Sequence, residues 1–321
     1  MRILVGTWDK GHGHTWIVRG FGKIYALRSL PGGSSLCVTD EDSPECSDGG
    51  IIVCRPEGSG WKEFPTKGEH SCHAAISGHS VIVSDYTSGT LSIYHTDSCG
   101  MPLGEAEIMH FHGSGPVKGR QDGPHVHSSW LSPDAESLVV ADLGSDALYR
   151  FPVENGNIRP EKQERFTMPA GCGPRHCAFG DGVLYVSTEL SDEVIVLDWP
   201  SMAVLQRICV NPALPGGGGH VALSPDGRHL YVSSRLKNDG IGIFSVRNDG
   251  LLEKTGYVRT GAHPRHFCLS PDGQKLFAAC RDENAIEIYR RSEQDGSLAD
   301  SGERIRIAKP VFVEAYEENR L

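Results

Sequence analysis

The hydrophobic residues of this chain fall into short clusters that recur at a fixed distance. The clearest copies start at residues 138, 184, 230 and 276, which are 46 residues apart each time. They read Leu138-Val139-Val140, Leu184-Tyr185-Val186, Leu230-Tyr231-Val232 and Leu276-Phe277-Ala278. Looser copies begin at Ile3, Leu36 and Val81, so the pattern predicts seven units.

Each cluster predicts the second strand of a unit of three or four strands joined by polar turns. In three units a Ser-Pro-Asp sequence precedes the cluster, beginning at Ser132, Ser224 and Ser270, and proline beside aspartate favours a turn. Units of this length with several short strands are typical of propeller blades. We therefore predict an all-β fold, a seven-bladed β-propeller that residues 1–321 form as a single domain. A long-period sandwich, the alternative, would not repeat so regularly.

The two ends of the chain predict how the ring closes. Residues 308–314 have the pattern of an inner strand with no partner further along the chain, and Ile3-Leu4-Val5 is a second strand with no inner strand before it. Pairing these segments would complete the seventh blade and remove an exposed sheet edge. We therefore predict that the N- and C-terminal strands pair.

Composition narrows the possible partners. The formal net charge is −10 and there is no long basic run, which argues against nucleic acid or an anionic membrane as a partner. The N-terminus lacks the pattern of a signal peptide, and no stretch approaches the roughly 18 apolar residues of a spanning helix. We therefore expect a cytoplasmic protein. Its ten cysteines include no C-x-x-C pair, and we interpret them as small buried hydrophobic residues.

Two sets of equivalent positions converge on one face of the predicted propeller, where inner strands begin and second strands end. The inner-strand column contains Cys72, His127, Arg175, Gly219 and Arg265, and the second-strand column contains Trp8, Glu41, Tyr86, Leu143, Glu189, Arg235 and Arg281. Unlike charges from several blades predict a shared pocket, since functional residues tend to lie on loops held by a rigid scaffold. His125, two residues before His127, shares its face. Arg281 has an alternative role, because it could pair with Asp282 or Glu283.

A third column repeats one residue type and has a different interpretation. Histidine stands one residue after the inner-strand column in four blades, as His73, His176, His220 and His266. A residue needed for one chemical event is needed once, whereas a residue that joins neighbouring blades is needed in each. We therefore interpret these histidines as structural hydrogen-bonding residues.

The motifs around these columns resemble the seven-bladed propeller lactonases. They are the segments 120–128 and 142–146, with Gly173-Pro174-Arg175-His176, Thr188-Glu189-Leu190-Ser191, Ser234-Arg235 and Pro264-Arg265. The family includes bacterial 6-phosphogluconolactonases, hydrolases of the pentose phosphate pathway, and a fungal carboxymuconate lactonizing enzyme. The resemblance implies an active site of one histidine, two arginines and a glutamate, which match His127 or His125, Arg175, Arg235 and Glu189.

Lactone hydrolysis assigns a role to each candidate. Glu189 or His127 would be the general base that activates water, and Arg175 would stabilise the oxyanion. Arg235 and Arg265, with His125, would bind the substrate through its phosphate or carboxylate. The predicted partner is therefore a small anionic sugar lactone, most simply 6-phosphogluconolactone, and no cofactor is expected.

Other interpretations remain open at this point. His125 and His127, with Glu189 as a third ligand, have a spacing that can bind a metal, but such pairs are common without one and we predict no metal. His12 and His14 are interpreted as loop residues. The alternatives to hydrolysis are a carboxymuconate-type lactonizing reaction, or a non-catalytic propeller that binds a sugar phosphate or a protein. We expect a monomer.

Overall fold

The structure, a computed structural model, describes residues 2–7, 23–29, 35–40, 50–54, 61–211, 213 and 215–316. The predicted positions Trp8, His12, His14 and Glu41 lie outside these residues. Strands dominate the described part, where helix is limited to the short 3-10 turns Pro160–Lys162 and Arg281–Glu283. None of its helices has the length and apolar character needed to cross a membrane.

The strands are short and follow one another along the chain. In order they are β1 (Arg2–Thr7), β2 (Lys23–Ser29), β3 (Ser35–Asp40), β4 (Gly50–Cys54), β5 (Trp61–Pro65), β6 (Ser71–Ser77), β7 (Ser80–Asp85), β8 (Thr90–His95), β9 (Glu107–His110), β10 (Val126–Leu131), β11 (Ser137–Asp142), β12 (Ala147–Glu154), β13 (Asn157–Ile158), β14 (Glu164–Thr167), β15 (Pro174–Phe179), β16 (Val183–Thr188), β17 (Glu193–Asp198), β18 (Val204–Cys209), β19 (Gly217–Leu223), β20 (His229–Arg235), β21 (Gly240–Val246), β22 (Leu252–Arg259), β23 (Pro264–Leu269), β24 (Lys275–Cys280), β25 (Ala285–Arg291), β26 (Leu298–Arg306) and β27 (Pro310–Tyr316). The four regularly spaced apolar clusters lie in β11, β16, β20 and β24, so these predicted second strands are confirmed.

The chain separates into two compact units, residues 6–173 and residues 1–5 with 174–321. The first unit contains the antiparallel sheets β2-β3-β4-β5, β6-β7-β8-β9 and β10-β11-β12-β13, with β14 also paired to β12. The second contains β15-β16-β17-β18, β19-β20-β21-β22, β23-β24-β25-β26 and the pair β1-β27. The predicted pairing of the terminal strands is therefore present.

The 46-residue repeat also appears in the contacts between neighbouring sheets. The hydroxyl of Tyr185 on β16 donates to the carbonyl oxygen of Gly250 over 2.8 Å, and that of Tyr231 on β20 donates to Gly296 over 2.7 Å. Both members of the second contact lie 46 residues after those of the first. The apolar core lies between adjacent sheets of each unit and buries both tyrosine rings.

The histidine column joins inner strands, as predicted. Nδ1 of His73 on β6 accepts from the backbone N–H of Ser129 on β10 over 3.3 Å, and Nδ1 of His266 on β23 accepts from that of Val313 on β27 over 3.4 Å. His220 stacks on His266 with ring centroids 3.9 Å apart. These side chains therefore connect one sheet of a unit to the next.

The cysteines are only partly as predicted. Among those whose side chains the structure describes, none forms a disulfide; Cys172, Cys177 and Cys280 are buried, three are half-buried, and Cys99 is exposed. Cys99 is therefore an exception to the predicted burial.

Candidate functional site

The inner strands carry a β-bulge at the column where the sequence predicts functional residues. In the β15–β16 ladder, Pro174 pairs with Thr188 and His176 pairs with Ser187, which leaves Arg175 as an extra residue on β15. The same irregularity occurs in other sheets at Cys72, His127 and Arg265. A bulge leaves one residue outside the ladder and redirects its side chain. In these sheets, the inner-strand column is therefore the position of a β-bulge.

Arg175 and Arg235 meet at one carboxylate oxygen of Glu189. Arg175 lies on β15, Glu189 follows β16 in the same sheet, and Arg235 ends β20 in the next sheet. Arg175 Nε donates to Glu189 Oε2 over 2.9 Å, and Arg235 Nη2 donates to the same oxygen. The exposed fractions of the Arg175, Arg235 and Glu189 side chains are 3%, 5% and 10%. A buried carboxylate that accepts from both guanidinium groups fixes their orientation.

Four consecutive glycines allow β19 to pass close to this ion pair. A Cβ atom on Gly218 would lie 2.2 Å from the carbonyl oxygen of Thr188, and one on Gly216 would lie 2.3 Å from that of Arg235. The backbone N–H of Gly218 also donates to the carbonyl oxygen of Glu189 over 3.2 Å. Because only glycine permits such close backbone approach, this run allows residues from two sheets to form one site.

His263 contacts Arg235 from the start of the following sheet. Nε2 of His263 lies 3.2 Å from Nη1 of Arg235. The residue precedes β23 with φ of 60°, a left-handed conformation that is uncommon outside glycine. Burial lowers the pKa of His263 to about 3, and the charges of Arg235, Arg281 and Arg265 act in the same direction. The ring is therefore neutral, and its Nε2 accepts a hydrogen bond from Arg235.

Arg281 is bound by its neighbour in the sequence. Its Nε and Nη2 donate to Oδ1 and Oδ2 of Asp282 over 2.7 and 2.8 Å, so the pairing alternative for Arg281 is confirmed. Oδ2 of Asp282 also lies 3.5 Å from Nδ1 of His263. We give the name arginine cluster to Arg175, Glu189, Arg235, His263, Arg281 and Asp282, which are joined by these contacts, together with Arg265, whose charge acts on His263. Four guanidinium groups, two carboxylates and a neutral imidazole give it a formal charge of +2.

The other unit holds His125 and His127 against Tyr86. The rings of Tyr86 and His125 stack with centroids 4.5 Å apart, and His127 meets Tyr86 edge-on at 5.7 Å. Nδ1 of His125 lies 2.9 Å from the carbonyl oxygen of Tyr86. A carbonyl only accepts, so Nδ1 is the donor, which leaves Nε2 as the nitrogen that can accept a hydrogen bond. His125 is half-buried, whereas His127 is buried.

The backbone of His125 is fixed by the end of the neighbouring strand. Oδ1 of Asp142, the last residue of β11, accepts from the backbone N–H of His125 over 2.7 Å. The carbonyl of His125 accepts from the backbone N–H of Leu143 over 3.0 Å. With Tyr86 holding the ring, both the main chain and the side chain of His125 are held in place.

The structure therefore brings together most of the residues that the sequence singled out. Arg175, Glu189 and Arg235 are in direct contact, and the charge of Arg265 acts on His263. The sequence reasoning missed His263, although a signal existed. It stands two residues before Arg265, as His125 stands two residues before His127, and the same strand rule applies to both pairs.

Tyr86 was recognised as a member of the second-strand column but not as a site residue. Its contacts with His125 and His127 depend on ring orientations that the sequence pattern does not specify. As for a metal, the described residues include no group of three His, Cys, Asp or Glu side chains arranged to bind one.

Comparison with protein families identifies the fold family. Residues 34–315 match the family described as lactonase, 7-bladed beta-propeller. The chain belongs to this family. The predicted propeller fold and the predicted family resemblance are confirmed.

Individual relatives agree with this assignment. The chain is 34% identical over 245 residues to 6-phosphogluconolactonase of Formosa agariphila, covering 72% of this chain and 69% of the relative. It is 30% identical over 262 residues to 6-phosphogluconolactonase of Bacillus subtilis, covering 77% and 73%. Among solved structures, a candidate 6-phosphogluconolactonase of Bacteroides uniformis superposes with a TM-score of 0.88 at 30% identity, covering 97% of this chain and 98% of that one.

Proposed function

We propose that this protein hydrolyses 6-phosphogluconolactone to 6-phosphogluconate. The family is one of lactonases, and relatives at 30% and 34% identity carry this activity in their names. The structural observation that supports it best is the arginine cluster, with a formal charge of +2 in a chain of net charge −10. An acidic protein needs such a local concentration of positive charge to bind a small polyanion.

The contacts of Glu189 refine its proposed role. Oε2 already accepts from Arg175 and Arg235, so both lone pairs of this oxygen are engaged. We assign Glu189 the role of orienting the two arginines. Arg175, redirected by its bulge, is assigned to the oxyanion, and Arg235 with Arg265 to the phosphate.

Within its own unit, His125 has the contacts that suit a general base. Its Nδ1 proton is held by the carbonyl oxygen of Tyr86, which leaves the Nε2 lone pair to accept a proton from water. His127, which the sequence offered as a base alongside Glu189, meets the ring of Tyr86 edge-on, and we assign it to support that ring.

The chemistry is balanced by one water molecule. A general base takes a proton as the water oxygen bonds to the lactone carbonyl carbon. The carbonyl oxygen becomes an oxyanion that a guanidinium group stabilises. The ring C–O bond then breaks, and the proton returns from the base to the leaving alkoxide, giving the open-chain hydroxy acid.

The experiment compares 6-phosphogluconolactone with unphosphorylated glucono-δ-lactone in a pH-stat. Wild type should have the higher kcat/KM for the phosphorylated lactone. E189Q should lower that value about 100-fold, the range found when transition-state stabilisation by one polar group is lost. The matched control is E193Q, the same substitution at a carboxylate that pairs with the half-exposed Arg207, and it should retain the wild-type rate.

Other outcomes would favour the alternative activities. Turnover of a carboxymuconate lactone without hydrolysis of either sugar lactone would support the lactonizing reaction. Binding of sugar phosphate without turnover would support the non-catalytic propeller.

We infer that the sheets and the β1-β27 pair form the seven blades of a closed ring, a single domain. We further propose a cytoplasmic location and a monomeric state. Sedimentation analysis of the purified protein tests the monomer, and a dimer would contradict it.

A further inference from the structure

We propose that His263 is a positioning residue that sets the charge of the arginine cluster, by holding Arg235 through an uncharged acceptor. This inference rests on the proposed function and deepens it, because it concerns why the site would prefer a doubly charged phosphate.

Arg235 is held at both of its terminal nitrogens. One terminal nitrogen, Nη2, donates to Glu189, and the other, Nη1, donates to Nε2 of His263 at 3.2 Å. Both ends of the guanidinium group are therefore fixed, one by a carboxylate and one by a neutral ring. The side chain is 5% exposed, so it has little freedom to find another partner.

His263 accepts the hydrogen bond from Arg235 without adding a negative charge. Arginine side chains in proteins are usually held by carboxylates, each of which cancels one positive charge. An imidazole that accepts the same hydrogen bond leaves that charge available to a ligand. If His263 were a carboxylate, the formal charge of the cluster would fall from +2 to +1.

The surroundings keep the ring neutral. Burial is the main cause of the lowered pKa of His263. The charges of Arg235, Arg281 and Arg265 lower it further, while Asp282 raises it and is outweighed. The pKa of about 3 means that His263 does not gain a proton at any pH used for the assay. Its role is therefore independent of pH across the neutral range.

The backbone conformation of His263 is set by its position in the fold. The residues before β6, β15 and β23 are His70, Gly173 and His263, with φ of 55°, 62° and 60°. This left-handed conformation is unfavourable for a residue with a β carbon. Glycine is therefore the less strained choice, and the histidine at 263 supplies a side chain that reaches Arg235.

A pair of variants of equal length separates charge from shape. H263Q keeps a neutral oxygen acceptor for Arg235, whereas H263E places a carboxylate at the same reach, and both carry the same backbone strain. We expect H263E to raise KM for 6-phosphogluconolactone about tenfold over H263Q, as loss of one charge near a dianion predicts. The two variants should differ less than threefold in KM for unphosphorylated glucono-δ-lactone.

Two further variants complete the test: a control that changes the charge far from the cluster, and a variant that makes the cluster more positive. The same charge difference is made by Q274E at an exposed turn before β24, at the other end of that strand from Arg281, and it should leave KM unchanged. D282N removes a negative charge from a half-exposed position and should lower KM for the phosphorylated lactone about twofold. D282N also tests the inference if H263E does not fold.

The outcomes separate this inference from the proposed function. If wild type hydrolyses neither lactone, the proposed function is wrong. If wild type prefers the phosphorylated lactone but H263Q and H263E have equal KM values, the inference about His263 is overturned. An increase in KM for D282N would overturn it as well.

Discussion

Among single residues, Asp85 shows how a buried carboxylate is used to anchor a strand end. It is the last residue of β7 and is fully buried. The hydroxyls of Ser71, Ser92 and Thr90 donate to it over 2.6, 2.7 and 3.1 Å. Burial raises the pKa of Asp85 to about 6, and the hydroxyl donors only partly oppose this. The side chain therefore titrates in an experimentally accessible range.

This residue predicts a specific pH dependence of stability. Between the ordinary pKa of 3.8 and about 6, the folded protein keeps the proton on Asp85 and the unfolded chain loses it. Its favourable contribution is fully present below pH 3.8 and is lost as the pH rises through 6, about 3 kcal/mol in total. D85N stays neutral throughout. Its free energy of unfolding relative to wild type should therefore rise by about 2.4 kcal/mol from pH 4 to pH 7 in urea titrations.

A second aspartate supplies the control for this measurement. The hydroxyl of Ser270 and the backbone N–H of Gln274 donate to Asp272, and these bonds lower its pKa. Its titration lies below pH 4, so D272N should run parallel to wild type from pH 4 to pH 7. Parallel curves for D85N as well would show that Asp85 is not the buried acid described.

The site residues show what a sequence can and cannot give at this scale. Glu189 and Arg235 were predictable because each follows a second strand at the same offset from its apolar cluster. The bulge at Arg175 was not predictable, because it depends on how two strands pair. The hydrogen bond of His263 was not predictable from the sequence either, because it depends on a left-handed backbone that the following Pro264 does not indicate.

At the scale of strands, the glycines of β19 allow it to lie close to the ends of β16 and β20. Its neighbours β15 and β23 begin with proline and bear arginine at the bulge, whereas β19 begins with glycines. From the sequence alone, Gly219 was only one member of the inner-strand column. In the structure, absence of side chains here is what allows Arg235 to reach Glu189.

This interpretation predicts the effect of one methyl group. G218A would place a Cβ atom 2.2 Å from the carbonyl oxygen of Thr188, so β19 or the end of β16 must move. We expect kcat/KM for the phosphorylated lactone to fall about 100-fold, since small displacements of positioned groups have effects of this size. G104A is the control, because a Cβ atom there meets nothing within 4 Å, and it should be neutral. Wild-type kinetics for G218A would mean that the close approach does not matter.

On the scale of the whole chain, most of the fold was predictable from the 46-residue repeat. The regular units gave the second strands and the propeller, because a strand repeated every 46 residues has few other ways to bury its apolar face. The first units are looser in sequence, and there the pattern gave less. The same repeat predicted that β1 and β27 pair, which a sequence without periodicity would not have suggested.

The proposed closure of the ring gives the last prediction, which concerns β27. Val311, Phe312 and Val313 are buried, and Val313 packs in a cluster with Val5, Phe277 and residues of β25. Deleting residues 310–321 would remove these three buried side chains from the core, at a loss of about 2 kcal/mol each, and leave β1 without its partner.

Because the sum of these losses is comparable to the whole stability of a typical domain, roughly 5–15 kcal/mol, the truncated chain should lose cooperative unfolding in calorimetry. V313A, which keeps the strand and removes only part of one buried side chain, should lower the stability by about 2 kcal/mol and keep a single transition. A truncated chain with the wild-type melting temperature would show that β27 does not hold the ends together. The graded response is expected because strand pairing and burial are lost together in the deletion, but only burial is reduced in the point variant.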